Sequence, residues 1–152
     1  SEPQCKKCQQ VRKEVSPDVS DILYEDDFWI VVHKGAPIGV EGHLQILAKR
    51  HVVGFAEFTD EESAAIGPML SRCQRALLAA SGAPRVYVAA LGASFPHFHA
   101  HLVPVHEAGA EAVTGTAWDV FLQEKLAADG KLQVDRGRCA EICDAFRREM
   151  AA

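Results

Sequence analysis

The stretch His97-Phe98-His99-Ala100-His101-Leu102-Val103-Pro104-Val105 decides how the rest of the chain is read. Three histidines alternate with apolar residues. On a β-strand, side chains alternate between faces with period two. A strand here puts the three imidazoles on one face and Phe98, Ala100 and Leu102 on the other. One face then carries titratable, nucleophilic, metal-binding groups, and the opposite face is core. That combination predicts function rather than packing alone.

The elements on either side suit such a strand. Ile22–Glu25 and Phe28–His33 read as a hairpin around Asp26-Asp27, and His43–Leu47 as a third strand after a loop with three glycines. Thr59-Asp-Glu-Glu62 is a capping box, and the apolar positions Ile66, Met69, Leu70, Cys73, Leu77 and Leu78 extend a helix to about Ala80. Pro68 inside this pattern predicts a kink or a tightened first half. Arg85–Leu91 is a fourth β-type run, and Gly92-Ala93-Ser94 turns the chain into the histidine strand. Residues 106–115 read as a loop, and Trp118–Ala128 and Arg138–Met150 as two helices. Strands, helix, strands and helices in that order, with hairpin-length links, predict an α+β fold with a mainly antiparallel sheet.

The bulk properties narrow the function. A chain of 152 residues, 48% hydrophobic and 24% charged, predicts one domain, residues 1–152, with a core that needs no staples. The formal net charge of −5 argues against a dedicated nucleic-acid surface. No apolar run approaches membrane-spanning length and the N-terminus has no secretory core, so a cytoplasmic location is expected. Five cysteines without a signal segment read as reduced thiols. Cys73, Cys139 and Cys143 fall in helical patterns and read as small core residues. Cys5-Lys6-Lys7-Cys8 has the spacing of a metal clip. A redox pair is the competing reading, and its flanks lack the βαβ context of that motif.

The histidine stretch resembles the histidine-triad (HIT) motif, His-φ-His-φ-His-φ-φ with φ apolar. Gly42-His43-Leu-Gln-Ile-Leu-Ala-Lys-Arg-His51 is similar to the family's strand ending in Pro-Lys-x-His, with Ala48 for the proline. Gly92-Ala93-Ser94 is similar to its Gly-Gln-Ser. The resemblance runs from about residue 5 to 105, with an N-terminal clip at 5–8 and a core at about 20–105; a helical extension at about 116–150 lies outside it. It implies a homodimeric nucleotidyl hydrolase or transferase acting on the α-phosphate of a phosphoramidate, dinucleoside polyphosphate or nucleotide sugar. His99 would be the nucleophile, forming a covalent nucleotidyl-histidine. Neutral imidazole suits that role near pH 7 if its second nitrogen carries a proton held by an acceptor. His101 would contact phosphoryl oxygens or protonate the leaving group. Ser94 would hydrogen-bond the phosphate or leaving group, Gly92 would bring backbone amides close, and His43 would stand beside the triad.

Some branches also bind zinc, and Cys5, Cys8, His51 and His97 match their ligands as a closed structural Cys₂His₂ set. Histidine at the third triad position resembles the hydrolase branches, so hydrolysis is favoured over transfer. Three positions depart from the family pattern. Lys34 stands where many members have a ribose-binding Asp, Val88–Leu91 offers no amide, and Ala93 replaces Gln. These changes imply an altered pocket, which Trp118 or the 106–115 loop would help close. Two other readings are weighed: a metal enzyme with His97, His99 and His101 as ligands, and a non-catalytic nucleotide-binding relative.

Overall fold

The computed structural model describes residues 2–14, 22–35, 39–92, 95–105 and 122–152. Helix α1 (Lys6–Val11) precedes strands β1 (Tyr24–Glu25), β2 (Trp29–His33) and β3 (Leu44–Ala48). Helix α2 (Asp60–Ser81) leads to β4 (Arg85–Ala89) and β5 (His99–Val105), followed by helices α3 (Leu122–Ala128) and α4 (Arg136–Ala151). The sheet order is β1-β2-β3-β5-β4, with every neighbour antiparallel. This is the expected α+β architecture, with the long helix after the third strand. The histidine strand is inserted between β3 and β4, so it is an inner strand paired on both edges.

The register sorts the two faces. Val31 pairs with Ile46 and Ile46 with Ala100, and these join Trp29, Leu44, Leu102 and Val86 in the main core. Helices α2 and α4 cover that face, contributing Ile66, Met69, Cys73, Leu77, Ile142, Phe146 and Met150. Ile30 pairs with Leu47 and Leu47 with His99, which places His99 on the opposite face. That second face is covered in patches. Val11 and Ile22 pack on Ile30, Val32 and Leu47 at one end. Ala127, Leu132 and Val134 pack on Val40, Val103 and Val105 at the other. The strip left between them carries Gln45, His99 and His101.

Helix α2 starts as the sequence predicts. Thr59 Oγ1 accepts from the Glu62 amide and the Glu62 carboxylate accepts from the Thr59 amide, closing the capping box. The helix runs unbroken through Pro68 and ends at Gly82, which takes a left-handed conformation. Gly42 is constrained from two sides. Its φ is +78°, and a Cβ there would lie 3.0 Å from the Pro104 ring and 3.4 Å from Ile142. Its amide donates to His33 Nε2, whose Nδ1–H donates to the Lys34 carbonyl. His33 is therefore a neutral structural histidine that closes the β2–β3 loop.

One expectation is corrected. The histidine strand begins at His99, and His97 lies in a bend before it. The His97 amide donates to the Phe95 carbonyl at 2.8 Å, and this turn takes His97 off the ladder. The three imidazoles are thus not one strand-face row. The C-terminal helices also differ at their edges: α4 starts at Arg136, and Trp118 lies outside the described residues.

Candidate active site

His99 is 6% exposed, and its Nδ1 lies 2.7 Å from the His97 carbonyl oxygen. A carbonyl only accepts, so Nδ1 carries the proton and the neutral ring keeps its lone pair on Nε2. Burial, above all, holds the ring below the ordinary histidine pKa. Nearby Lys7 and Lys34 add to that effect, and the His97 hydrogen bond opposes it. A neutral ring with one committed nitrogen and one lone pair is the form a nucleophile needs.

His97 is turned to a different purpose. Its Nε2–H donates to the Ala48 carbonyl at 2.7 Å, which leaves the Nδ1 lone pair facing the two cysteines. That Nδ1 lies 3.6 Å from Cys5 Sγ, 3.4 Å from Cys8 Sγ and 3.3 Å from His51 Nδ1, and Cys8 Sγ lies 3.3 Å from His51 Nδ1. Cys5 caps α1, so one short helix presents both sulfurs. The four ligand atoms form a group that could hold a metal ion. Burial raises the Cys8 thiol above its usual pKa, a cost that a bound cation reverses. The other cysteines are buried and play no part here: burial pushes Cys73 up to about 12 and Cys139 up to about 11, and Cys143 is in the main core.

His101 heads a chain of polar contacts. Its Nδ1 lies 2.9 Å from His43 Nε2, His43 Nδ1 lies 3.1 Å from Glu124 Oε1, and the same oxygen accepts from Lys34 Nζ at 2.6 Å. A second branch runs from Lys7 Nζ to Gln45 Oε1 at 2.8 Å, and Gln45 Nε2 lies 3.4 Å from His101 Nδ1. Burial pushes His101 down to about 3 and holds His43 well below its usual value. Lys7 is itself buried and pushed down to about 8, mainly by loss of solvent, with the Lys34 charge adding.

The structure brings His99, His101, His43 and Lys34 together on one strip, and collects Cys5, Cys8, His51 and His97 beside it. Gly92, with a φ of +65°, lines a cavity of about 150 Å³ that also touches His99, Val53, Phe55 and Leu91. Ser94, Ala93 and the 106–115 loop lie outside the described residues. Among the described residues, the groups able to hold a metal are Cys5–Cys8–His51–His97 and His43–His101–Glu124. The trio His97, His99 and His101 is not one of them, because His97 Nδ1 faces the cysteines.

Three residues escaped the sequence reading: Lys7, Gln45 and Glu124. Gln45 sits one alternation from His43 on a predicted strand, so its facing was available. Lys7 was visible only as a basic residue between two cysteines. Glu124 lies 23 residues beyond His101 in sequence, and no local signal ties the two.

Residues 16–108 match the family model of the HIT domain. The chain belongs to the histidine-triad (HIT) family. Solved structures that it resembles include HIT proteins of low identity. One is a hypothetical histidine triad nucleotide-binding protein from Sulfolobus tokodaii, at TM-score 0.68 and 16% identity over 97% of this chain and 92% of that one. A zinc-bound histidine triad family protein from Mycobacterium smegmatis aligns at 0.59 and 22%, covering 93% and 97%. A HIT family hydrolase from Legionella pneumophila aligns at 0.51 and 23%, covering 65% and 90%. No curated protein sequence matches the chain. The HIT match ends at residue 108, so α3, α4 and Glu124 fall outside it, as does the N-terminal Cys5–Cys8 clip.

Proposed function

We propose that this HIT protein is a nucleotidyl hydrolase in which His99 Nε2 attacks the α-phosphorus of a nucleotide conjugate. The observation that carries the reading is the His99 Nδ1–H bond to the His97 carbonyl, which fixes the free lone pair on Nε2. In the first step the Nε2–P bond forms and the bond from phosphorus to the leaving group breaks. In the second, water oxygen bonds to phosphorus, the Nε2–P bond breaks, and the proton of that water leaves to solvent or a nearby base. His101 bonds the phosphoryl oxygens or passes a proton to the leaving group. Ser94 and the Gly92 amide hydrogen-bond the phosphate, and the buried Lys7 ammonium adds positive charge beside both rings. The conjugates in question are phosphoramidates, dinucleoside polyphosphates and nucleotide sugars. Names given to relatives, a nucleotide-binding protein and a hydrolase, agree with this class.

His99→Asn is expected to lower turnover at least 10³-fold across that panel, as loss of a covalent nucleophile does. Circular dichroism of the variant should remain that of wild type. Retained turnover in a folded His99→Asn protein would end the proposal. A non-catalytic nucleotide-binding role would then stand, tested by nucleoside monophosphate binding.

Zinc is proposed at Cys5, Cys8, His51 and His97. Tetrahedral bonds of about 2.3 Å to sulfur and about 2.05 Å to nitrogen give S···N edges near 3.5 Å and an N···N edge near 3.3 Å. The observed S···N distances of 3.3–3.6 Å and the N···N distance of 3.3 Å fit that shape. The His97–Ala48 bond is the outer support such a ligand needs. A metal there would hold α1 against the sheet and fix the His97 carbonyl that orients His99. The homodimer and the cytoplasmic location implied by the family are proposals too, checked by sedimentation equilibrium and cell fractionation. No described helix is long and apolar enough to cross a membrane.

A further inference from the structure

We infer that Glu124, on the C-terminal helix α3, is a positioning residue that sets the proton arrangement of His101 through His43. The inference rests on the reading of His99 and His101 as the reacting pair, and extends it to a residue beyond the HIT match. Three contacts run in line: Lys34 Nζ to Glu124 Oε1 at 2.6 Å, Glu124 Oε1 to His43 Nδ1 at 3.1 Å, and His43 Nε2 to His101 Nδ1 at 2.9 Å. His43 is fully buried, and its Nδ1 lies 3.1 Å from the Glu124 oxygen at an angle too bent for a hydrogen bond, so the contact is one of charge.

Two proton arrangements compete. A carboxylate only accepts, so Glu124 favours a proton on His43 Nδ1. His43 Nε2 then accepts, His101 Nδ1 donates to it, and the lone pair of His101 sits on Nε2. Gln45 favours the opposite. Lys7 holds Gln45 Oε1, which aims the amide NH₂ at His101 Nδ1 and asks that nitrogen to accept. The charge decides: a lone pair on His43 Nδ1 would face a carboxylate oxygen at 3.1 Å, a repulsion that outweighs a neutral amide donor at 3.4 Å. Glu124 therefore makes His101 Nε2 the proton-accepting nitrogen, able to take a proton as a phosphate arrives and give it to the leaving group. Lys34 clamps the carboxylate rather than meeting the ribose.

The test needs no substrate. In ¹⁵N-imidazole NMR of the zinc-loaded protein, wild type should show His43 protonated on Nδ1 and His101 on Nδ1. Glu124→Gln removes the charge at nearly constant shape, and should move His101 towards the Nε2–H form. Glu124→Asp should restore part of the wild-type pattern. If a phosphoramidate is turned over, Glu124→Gln should lower kcat about tenfold or more with KM little changed. Unchanged His43 and His101 ¹⁵N shifts in Glu124→Gln would overturn the inference. So would a second equivalent of Zn²⁺ bound by wild type and lost in Glu124→Gln, since His43, His101 and Glu124 would then be metal ligands. The tautomer readout stands whether or not His99→Asn stays active, so the two proposals fail separately.

Discussion

Histidines with different neighbours do different work, and His33 shows it without catalysis. It is 1% exposed, donates from Nδ1 to the Lys34 carbonyl and accepts the Gly42 amide on Nε2. Burial pushes its pKa down to about 4. In the unfolded chain it titrates near the ordinary value of about 6.5. Between those values the unfolded state binds more protons, so stability is full above pH ~6.5 and is lost as pH falls towards 4. The loss at pH 4 is on the order of 3 kcal/mol from this residue. His43, His97, His99 and His101 are held low as well and act with the same sign. Urea unfolding from pH 7 to pH 4 should show this slope, and His33→Gln should remove about one proton's share of it. A pH-independent midpoint over that range would contradict the assignment.

Among the elements, α4 lies beyond the HIT match and packs into the main core. Its buried residues Cys139, Ile142, Cys143, Phe146 and Met150 fall at i, i+3, i+4, i+7 and i+11, one face of a helix. Ile142, Cys143, Phe146 and Met150 join the main core beside Leu77 and Cys73 of α2. Phe146 is fully buried. Phe146→Ala should therefore cost about 3–5 kcal/mol, as a large core truncation does. The check is the urea midpoint at constant m-value. A loss under about 1 kcal/mol would mean that α4 is a dispensable appendage. The same helix also ties down the loop between β2 and β3: the Asp135 amide, at its N-cap, donates to Glu41, and Arg136 donates to the Gly39 carbonyl.

Across the whole molecule, the reactive strip is framed by segments distant in sequence. Helix α1 comes from the N-terminus and α3 from beyond residue 121, and each covers part of the face that carries His99. Metal binding by the clip would couple the first of these to the sheet. Chelation of the loaded protein should lower the Tm by several degrees, because a ligand at a thousand times its Kd contributes about 4 kcal/mol. Cys8→Ser should reproduce the shift and make the protein insensitive to chelator. An unchanged Tm in both cases would dismiss a structural metal.

Much of this was legible in the sequence. The α+β class, the strand around His99 and His101, the capping box at Thr59 and the apolar face of α2 follow from local periodicity and chain direction, which a linear pattern carries. The triad and the clip were legible because residue type and spacing encode them. Tertiary structure decided the rest. It took His97 off the strand and turned it to the cysteines, since a backbone hydrogen bond at Phe95 outweighs the pattern. It brought Lys7 to Gln45 and Glu124 to His43, contacts made across 38 and 81 residues of chain. Such pairings depend on where α1 and α3 dock, and docking is set by the burial of whole faces, which no short stretch of sequence contains.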